Sequence, residues 1–220
     1  MRALRLAFLV IGASAGAACG AAGNIQNLPL RWQGVELPPH ASASVARALA
    51  VSPLSLGLRD LRPDPTAVGV YQDTGFVVRT TDNVGQYCTD RLGEMLVRAG
   101  AHLEPSAPTV LEAELLDYQV VEGGTFDGTV RMRTTLRRGG NAVWTKTYTG
   151  ANHRWGRTHK PENFNESLSG SLADATQQLL NDDEFARTLG EPPSDRPLDR
   201  PGLPVAPPGA AAPQPGSSRG

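Results

Sequence analysis

Hydrophobic positions along the chain follow two periods, one typical of helices and one typical of strands. The clearest helical stripe recurs every three or four residues. Its members are Phe164, Leu168, Leu172, Ala175 and Leu179. Asn163 and Glu166 have the spacing of a capping box just after Pro161, which predicts where this helix starts. Asp182 to Leu189 predicts a further helical turn or a short separate helix.

A second helical stripe predicts a helix that ends at Gly100. Its members are Val84, Cys88, Leu92, Met95, Leu96 and Ala99. Thr81 or Asp82 is expected to cap its start. Cys88 falls on the apolar face, which favours a small buried core residue over a nucleophile.

Alternating apolar and polar positions predict three consecutive strands after this helix. They are expected at Thr109–Val121, at about 130–137 and at about Ala142–His153. The apolar face of the first strand switches near Leu115, which predicts a bulge or a strong twist. Before the helix, the pattern predicts a strand over 46–60, bent at Pro53, and a short extended stretch over 68–78.

Gly139-Gly140 predicts a hairpin whose register has two solutions. A two-residue loop pairs Thr135 with Trp144 and Arg131 with Tyr148 on the outer face. A three-residue loop pairs Leu136 with Trp144 and Met132 with Tyr148 in the core. A slip of one residue moves every side chain to the other face, and both registers stay open.

Together these elements predict an α+β fold, a two-layer sandwich in which two amphipathic helices pack on a mainly antiparallel four-stranded sheet. The antiparallel hairpin argues against a doubly wound sheet. The second sheet face is then solvated, weakly covered or used for binding.

The N-terminus has the layout of a secretory signal. Arg2 and Arg5 precede the apolar run 6–11, and small residues lead to Cys19. We expect a lipoprotein signal peptide over 1–18 and lipidation, palmitate included, at Cys19. Gly16 departs from the leucine usual there. The alternative is ordinary cleavage, for example after Ala17, which leaves Cys19 a free thiol.

The expected domains after the signal are a flexible tether over 19–45, the α+β domain over 46–189 and a tail over 190–220. The tail is rich in Pro, Ala and Gly, a composition that predicts disorder. No later apolar run reaches the roughly 20 residues that span a bilayer, so attachment to a membrane is expected at the N-terminus.

Composition and motifs exclude several function classes. The chain has 21 basic and 22 acidic residues and 5% aromatic residues, so we expect no nucleic-acid partner. There is no phosphate loop, nucleophile elbow, C-x-x-C or H-E-x-x-H motif. We therefore expect a protein that is not an enzyme and holds no metal or cofactor. Three pairs of side chains could pose as metal ligands or catalytic carboxylates, but we expect them to be solvated surface groups: His153/His159, Asp60/Asp64 and Glu112/Glu114.

One cluster suggests a binding surface. Arg131, Arg133, Arg137 and Arg138 lie on or beside one face of the hairpin that also offers Trp144 or Tyr148. They are candidates for binding an anionic lipid headgroup, glycan or partner. The alternative is a charged outer face that keeps the sheet soluble.

The order of elements resembles the YajG-type outer-membrane lipoproteins over roughly 49–189. The resemblance rests on segments after the N-terminal signal: Leu58-Arg59-Asp60-Leu61-Arg62, Arg98-Ala99-Gly100, Leu111-Glu112-Ala113-Glu114-Leu115, the Gly-Gly-Asn hairpin, Asn165-Glu166-Ser167-Leu168 and Asp183-Glu184-Phe185. It implies an envelope role and supplies no catalytic residues. The long Pro-rich tail departs from the pattern.

We therefore expect a membrane-anchored bacterial lipoprotein that acts as a non-catalytic interaction or scaffold module, on the periplasmic face of the outer membrane. Gly20 favours the outer membrane. Its envelope partner and oligomeric state are left open. The alternative is a lipid- or small-ligand-binding module of an envelope transport system, with a groove between helix and sheet. Without lipidation, the protein would be soluble in the periplasm.

Overall fold

A computed structural model describes residues 24–35, 40–156 and 159–191. The predicted signal peptide, Cys19 and nearly all of the predicted tail lie outside the described residues. The α+β class is confirmed, but the described chain has six strands and four helices rather than four and two. In chain order they are α1 (Ala43–Val51), β1 (Leu54–Asp60), β2 (Ala67–Tyr71), β3 (Val77–Arg79), α2 (Val84–Arg98), β4 (Thr109–Glu122), β5 (Thr125–Arg138), β6 (Asn141–Trp155), α3 (Pro161–Leu180) and α4 (Asp183–Gly190).

The sheet is organised around β4, which has a different neighbour on each edge. One edge pairs antiparallel with β5 along its whole length, and β5 pairs antiparallel with β6. The other edge is shared between two parallel neighbours, β1 from Thr109 to Leu115 and β2 from Val120 to Glu122. The strand β3 continues the sheet beyond β2. The long antiparallel β4–β5–β6 unit therefore sets the shape of the domain.

The expected strand over 46–60 is wrong in its first half, which forms α1. Ser42 caps this helix, because its hydroxyl accepts a hydrogen bond from the Val45 N–H at 3.3 Å. Val45, Ala48 and Leu49 are buried at spacings of three and one, a helical pattern. Pro53 separates this helix from β1. The alternating leucines of β1 are a strand pattern, and the prediction wrongly continued that strand back into the helical residues.

The helix α2 begins and ends near the expected positions. Its cap is Asn83, rather than Thr81 or Asp82, and the Asn83 side chain accepts from the Gln86 N–H at 2.9 Å. Gly100 follows the helix with φ +100°, a conformation that favours glycine. Cys88 is fully buried as expected, and burial raises the pKa of its thiol far above the usual range.

Two bulges set the registers of the central strands. In β4 the pairing shifts between Leu115 and Asp117, which confirms the expected face switch. In the β5–β6 hairpin, Arg138 pairs with Asn141, so the turn has two residues, but the register shifts between Leu136 and Arg137. As a result Leu136 faces Trp144, and Met132 faces Tyr148. The hairpin thus has the two-residue turn of the first predicted register, but the strand pairing of the second, in which Trp144 and Tyr148 face the core.

The helix α3 packs directly on the sheet. A Cβ on Gly150 of β6 would lie 2.0 Å from the Ser171 carbonyl oxygen, and one on Gly128 of β5 would lie 2.5 Å from the Ser167 carbonyl oxygen. Only glycine allows the two backbones to approach so closely. Phe164 at the start of the helix completes the core by meeting Phe126 edge-on at a centroid distance of 5.1 Å.

The capping box predicted for α3 does not form. The helix begins at Pro161, whose fixed φ suits a first helical residue, and no side chain bonds at its cap. Asn163 and Glu166 are instead drawn into contacts with the rest of the domain, and Arg154 of β6 pairs with both of them.

The described part of the expected tether makes defined contacts with the domain. Leu28 is fully buried. The Arg31 N–H donates to the Asn165 side chain at 3.0 Å, and the Gln33 N–H donates to the Ser169 hydroxyl at 3.1 Å. Residues 29–33 therefore lie along α3, where Asn165 and Ser169 serve the contact, whereas residues 25–28 contact β2 and β3. Within the described residues, none of the helices is both long and apolar enough to cross a membrane.

Candidate interaction surface

One broad face of the sheet carries the charged side chains that the sequence analysis singled out. The helices α2 and α3 pack on the opposite face, which presents Leu111, Val130, Met132 and Leu136 to the core. We call the charged side the open face and define it by the outward residues of β4 and β5. These are Glu112, Glu114, Arg131, Arg133, Thr135 and Arg137.

Most charges on the open face are paired across strands. The carboxylate of Glu114 in β4 forms salt bridges with the guanidinium of Arg133 in β5, at 2.5 Å, and with that of Arg59 in β1, at 2.6 Å. The carboxylate of Glu112 forms a salt bridge with the guanidinium of Arg137 at 2.7 Å. Because these pairs are partly solvated, each contributes about 0–1 kcal/mol to stability. The result is a polar surface with alternating charge rather than a strongly basic patch.

Arg131 differs from its neighbours. It is exposed, and we find no ion pair for it within the described residues. It lies opposite Asp117 of β4 and Thr149 of β6 in the strand registers. Of the three arginines on the open face, Arg131 is therefore the one whose guanidinium is most available to an anionic group.

The aromatic residues proposed to share this surface lie on the other side of the sheet. The bulge that shifts the hairpin register turns Trp144 and Tyr148 into the core, where they are 7% and 4% exposed. Trp144 packs against Phe185 of α4 at a centroid distance of 5.4 Å. The expected combination of arginines with an aromatic platform is therefore wrong for this fold.

Arg138 also leaves the cluster. Its guanidinium donates to the Thr188 carbonyl at 2.5 Å and to the Leu189 carbonyl at 2.7 Å. These carbonyls belong to the last turn of α4, where a positive charge is favourable. Arg138 therefore joins the hairpin to α4, and only Arg131, Arg133 and Arg137 form the open-face cluster.

Tyr148 belongs to a polar network at the start of α4. Its hydroxyl donates to Asp182 at 2.6 Å, and Lys146 binds the same carboxylate at 2.7 Å. The other Asp182 oxygen caps α4 by accepting from the amides of Glu184 and Phe185. Burial alone would raise the pKa of Asp182, but these hydrogen bonds outweigh it and hold that pKa below its ordinary value.

A second buried polar centre surrounds Arg62 and was missed by the sequence analysis. The Arg62 guanidinium binds both oxygens of Asp60, at 2.9 and 2.7 Å. It also donates to the carbonyls of Pro65, Ala67 and Tyr118. The network ties β1 to β2 and β4. The proline-rich turn after Arg62 gave no signal of it, because the Tyr118 carbonyl is distant in sequence.

The other candidate groups for chemistry each have a separate partner. His153 contacts Asp127 at 2.5 Å, whereas His159 lies 3.5 Å from Glu122. Asp64 pairs with Arg79 rather than with Asp60. In the part of the chain that the structure describes, no three His, Cys, Asp or Glu side chains are grouped to hold a metal ion.

Several open cavities in the described part of the chain are large enough to consider for ligands. A cleft of about 280 Å³ lies between β2 and β4, beside Arg62 and Leu116. A groove of about 360 Å³ lies between α1 and α4, lined by Val51, Ala48 and Ala186 among others. Two larger cavities lie between helix and sheet, one of about 390 Å³ between α2 and β1 and one of about 590 Å³ between α3 and β6. Small-molecule sites usually have volumes of about 300–1,000 Å³, so the cleft between β2 and β4 is below this range and the other three are within it.

Comparison with known proteins adds information on the fold. No family model and no curated protein matches the sequence. A DUF330-family protein from Xanthomonas campestris matches with a TM-score of 0.50 and 12% identity, over 76% of this chain and 96% of that one. Weaker matches include a protein described as a lipoprotein from Caulobacter crescentus, with a TM-score of 0.41, 13% identity and coverage of 67% and 96%. Another is a minor lipoprotein from Acinetobacter baumannii, with a TM-score of 0.34, 18% identity and coverage of 64% and 92%. The first match shows a shared fold.

Proposed function

We propose that the mature chain is a lipid-anchored bacterial envelope lipoprotein that acts as a non-catalytic interaction module. The observation that carries the proposal is the N-terminal sequence, in which a basic start, a short apolar run and small residues lead to Cys19. Each acyl CH₂ buried in a bilayer contributes about 0.8 kcal/mol, so more than one chain on Cys19 gives durable attachment. Gly20 and the resemblance to YajG-type lipoproteins favour the periplasmic face of the outer membrane.

The open face is the proposed surface for a partner protein. It is partly solvated and rich in alternating charges, and such surfaces add specificity and fast encounter more than raw affinity. Arg131 offers a guanidinium to an acidic group. The salt bridges of Arg133 and Arg137 with Glu114 and Glu112 are exposed enough to exchange partners at little cost.

The alternative of a lipid- or ligand-binding module needs a groove between helix and sheet, and one of about 390 Å³ lies between α2 and β1, lined by Leu56, Gly93 and Leu103 among others. The space between α3 and the centre of the sheet is closed by the contacts of Gly128 and Gly150 with the helix backbone. The groove between α1 and α4 is a second place for a lipid, because the apolar side chain of Val51 there is 71% exposed. A lipid that copurifies with the chain and is lost on Val51→Asp substitution would favour this alternative.

The test of the main proposal compares variants in bacterial cells. Cys19→Ala is expected to move the protein from the membrane fraction to the soluble periplasm. For the surface, a photocrosslinking residue at Thr135 reports contacts of the open face. The double variant Arg131→Ser/Arg133→Ser should remove a discrete crosslinked product, whereas Arg98→Ser, an exposed arginine on α2, should leave it unchanged. Equal crosslinking in the wild type, the double variant and Arg98→Ser would exclude the open face as the partner surface.

A further inference from the structure

The chain enters the domain at one end of the sheet. The Ile25 N–H donates to the Tyr71 hydroxyl at 3.3 Å, and the Leu28 N–H donates to the Arg79 carbonyl at 2.8 Å. Tyr71 is the last residue of β2 and pairs with Glu122, the last residue of β4. Because Arg79 pairs with Ala67 at the other end of β2, the described chain begins at the end marked by Tyr71.

The same end of the sheet carries exposed apolar side chains. Trp155, the last residue of β6, pairs with Thr125 at the start of β5 and is 64% exposed. Val77 of β3 is 37% exposed, and Phe76 beside it is partly buried against Tyr71. We call this surface, formed by Ile25, Phe76, Val77 and Trp155, the proximal end. From β2 to β6 it spans three strand spacings, or about 15 Å.

The chain between Cys19 and this surface is short. Five residues lie between Cys19 and Ile25, and the six steps of a fully extended chain, each at most about 3.3–3.6 Å, reach roughly 20 Å. The sheet itself is longer, because the 14 residues of β5 at about 3.3 Å each span roughly 45 Å. A lipid on Cys19 therefore holds the proximal end near the bilayer and lets the Gly139-Gly140 hairpin at the other end project away.

The charged groups at the proximal end have both signs and do not form a basic surface. His153 is paired with Asp127, and His159 lies beside Glu122. Lys160 and Asp73, in the neighbouring loops, have opposite signs. An attraction to anionic lipid is therefore not built into this surface, whereas tryptophan itself prefers the boundary between headgroups and acyl chains.

We propose that the proximal end rests on the bilayer surface, with Trp155 in the interfacial layer and the open face standing away from the plane of the membrane. This inference rests on the proposed lipidation of Cys19. It gives the exposed tryptophan a function, and it leaves the long β4–β5–β6 face accessible to a partner in the periplasm.

The experiment uses the full-length lipidated protein in zwitterionic phosphatidylcholine vesicles. The variants Asp73→Cys, near the proximal end, and Asn141→Cys, at the far hairpin, are each labelled with an environment-sensitive fluorophore. Cys88 is fully buried and Cys19 carries the lipid, so neither competes for the label. With acyl-brominated lipids, the label at 73 should be quenched and the label at 141 should not. Equal quenching, or the reverse order, would overturn the orientation.

Tryptophan fluorescence gives a second readout without a label. Brominated lipids should quench part of the wild-type emission, and Trp155→Phe should lose that quenched part. Val143→Ser, an exposed apolar residue of β6 near the far hairpin, is the matched control and should retain it. If Trp155→Phe retains the quenching, Trp155 does not reach the interface. Failure of the proposed lipidation is distinguishable, because the protein would then not float with vesicles at all.

Discussion

The contact between α3 and the sheet can be tested at Gly150. An added Cβ would lie 2.0 Å from the Ser171 carbonyl oxygen and 2.4 Å from the Ala175 nitrogen. An ordinary carbon–oxygen contact is about 3.3 Å, so strand and helix must separate by roughly 1 Å. Both obstacles are backbone atoms, so no side-chain rotation relieves the clash.

The expected cost follows from what this separation disturbs. Leu168, Leu172 and Ala175 of α3 are almost fully buried against the sheet and would lose close packing together. Overpacking typically costs about 1–3 kcal/mol, and the rigid obstacle places Gly150→Ala at the upper end, about 3 kcal/mol. With a urea dependence of about 2 kcal/mol per molar, the unfolding midpoint should fall by roughly 1.5 M.

The assay is urea unfolding of the full-length chain carrying Cys19→Ala, followed by circular dichroism. Gly57→Ala is the matched control, because a Cβ at this β1 position would meet nothing within 4 Å. Its midpoint should change by no more than the equivalent of about 0.5 kcal/mol. If Gly150→Ala and Gly57→Ala have the same midpoint, the close approach of α3 to β6 is wrong.

Three further predictions concern the polar networks. Arg62→Met should lower the free energy of unfolding by about 3–5 kcal/mol, because it leaves Asp60 and several carbonyls without their donor. Arg59→Met, at an exposed arginine, should cost less than about 1 kcal/mol. Urea midpoints would check both, and equal losses of stability would contradict the buried network around Arg62. Tyr148→Phe should cost about 1.5–3 kcal/mol, the range for a hydrogen bond to a charged group, and a thermal midpoint unchanged from wild type would argue against the bond to Asp182. The folded-state pKa of Asp182 is lowered, so the contribution of its carboxylate to stability is complete above the unfolded pKa near 3.9 and is lost as pH falls through the folded pKa. Below about pH 4, the stability of the Asp182→Asn variant should therefore fall less steeply than that of the wild type. Parallel profiles of stability against pH would contradict this.

The elements that the sequence predicted correctly are those whose burial pattern is local. The stripe from Phe164 to Leu179 and the alternation of Val130 to Leu136 each report one face of one element, and both faces are buried as expected. The face switch at Leu115 was also readable, because a bulge changes the local alternation. In each case, neighbouring residues in sequence carry the whole signal.

The errors arise where tertiary contacts decide. Residues 43–51 contain apolar positions compatible with either period, and their helix is set by the Ser42 cap and by packing on α4. The parallel pairing of β1 and β2 with β4 joins distant segments and leaves no local pattern.

The candidate site was hardest to predict because it depended on one residue of register. The bulge at the register shift between Leu136 and Arg137 decides that the arginines face solvent while Trp144 and Tyr148 face the core. Arg138 was separated from the cluster by α4, whose carbonyls it binds, a contact across some 50 residues of sequence. Composition identified the charged strand but not which of its charges remain available.

The most direct test of the account is the intact mass of the full-length protein extracted from bacterial membranes, measured beside its Cys19→Ala variant. We predict a wild-type chain that begins at Cys19 and carries diacyl and N-acyl groups, and an unlipidated variant. An unmodified wild-type chain cleaved before or near Cys19 would contradict the lipid anchor, and with it the proposed placement of the domain on the membrane.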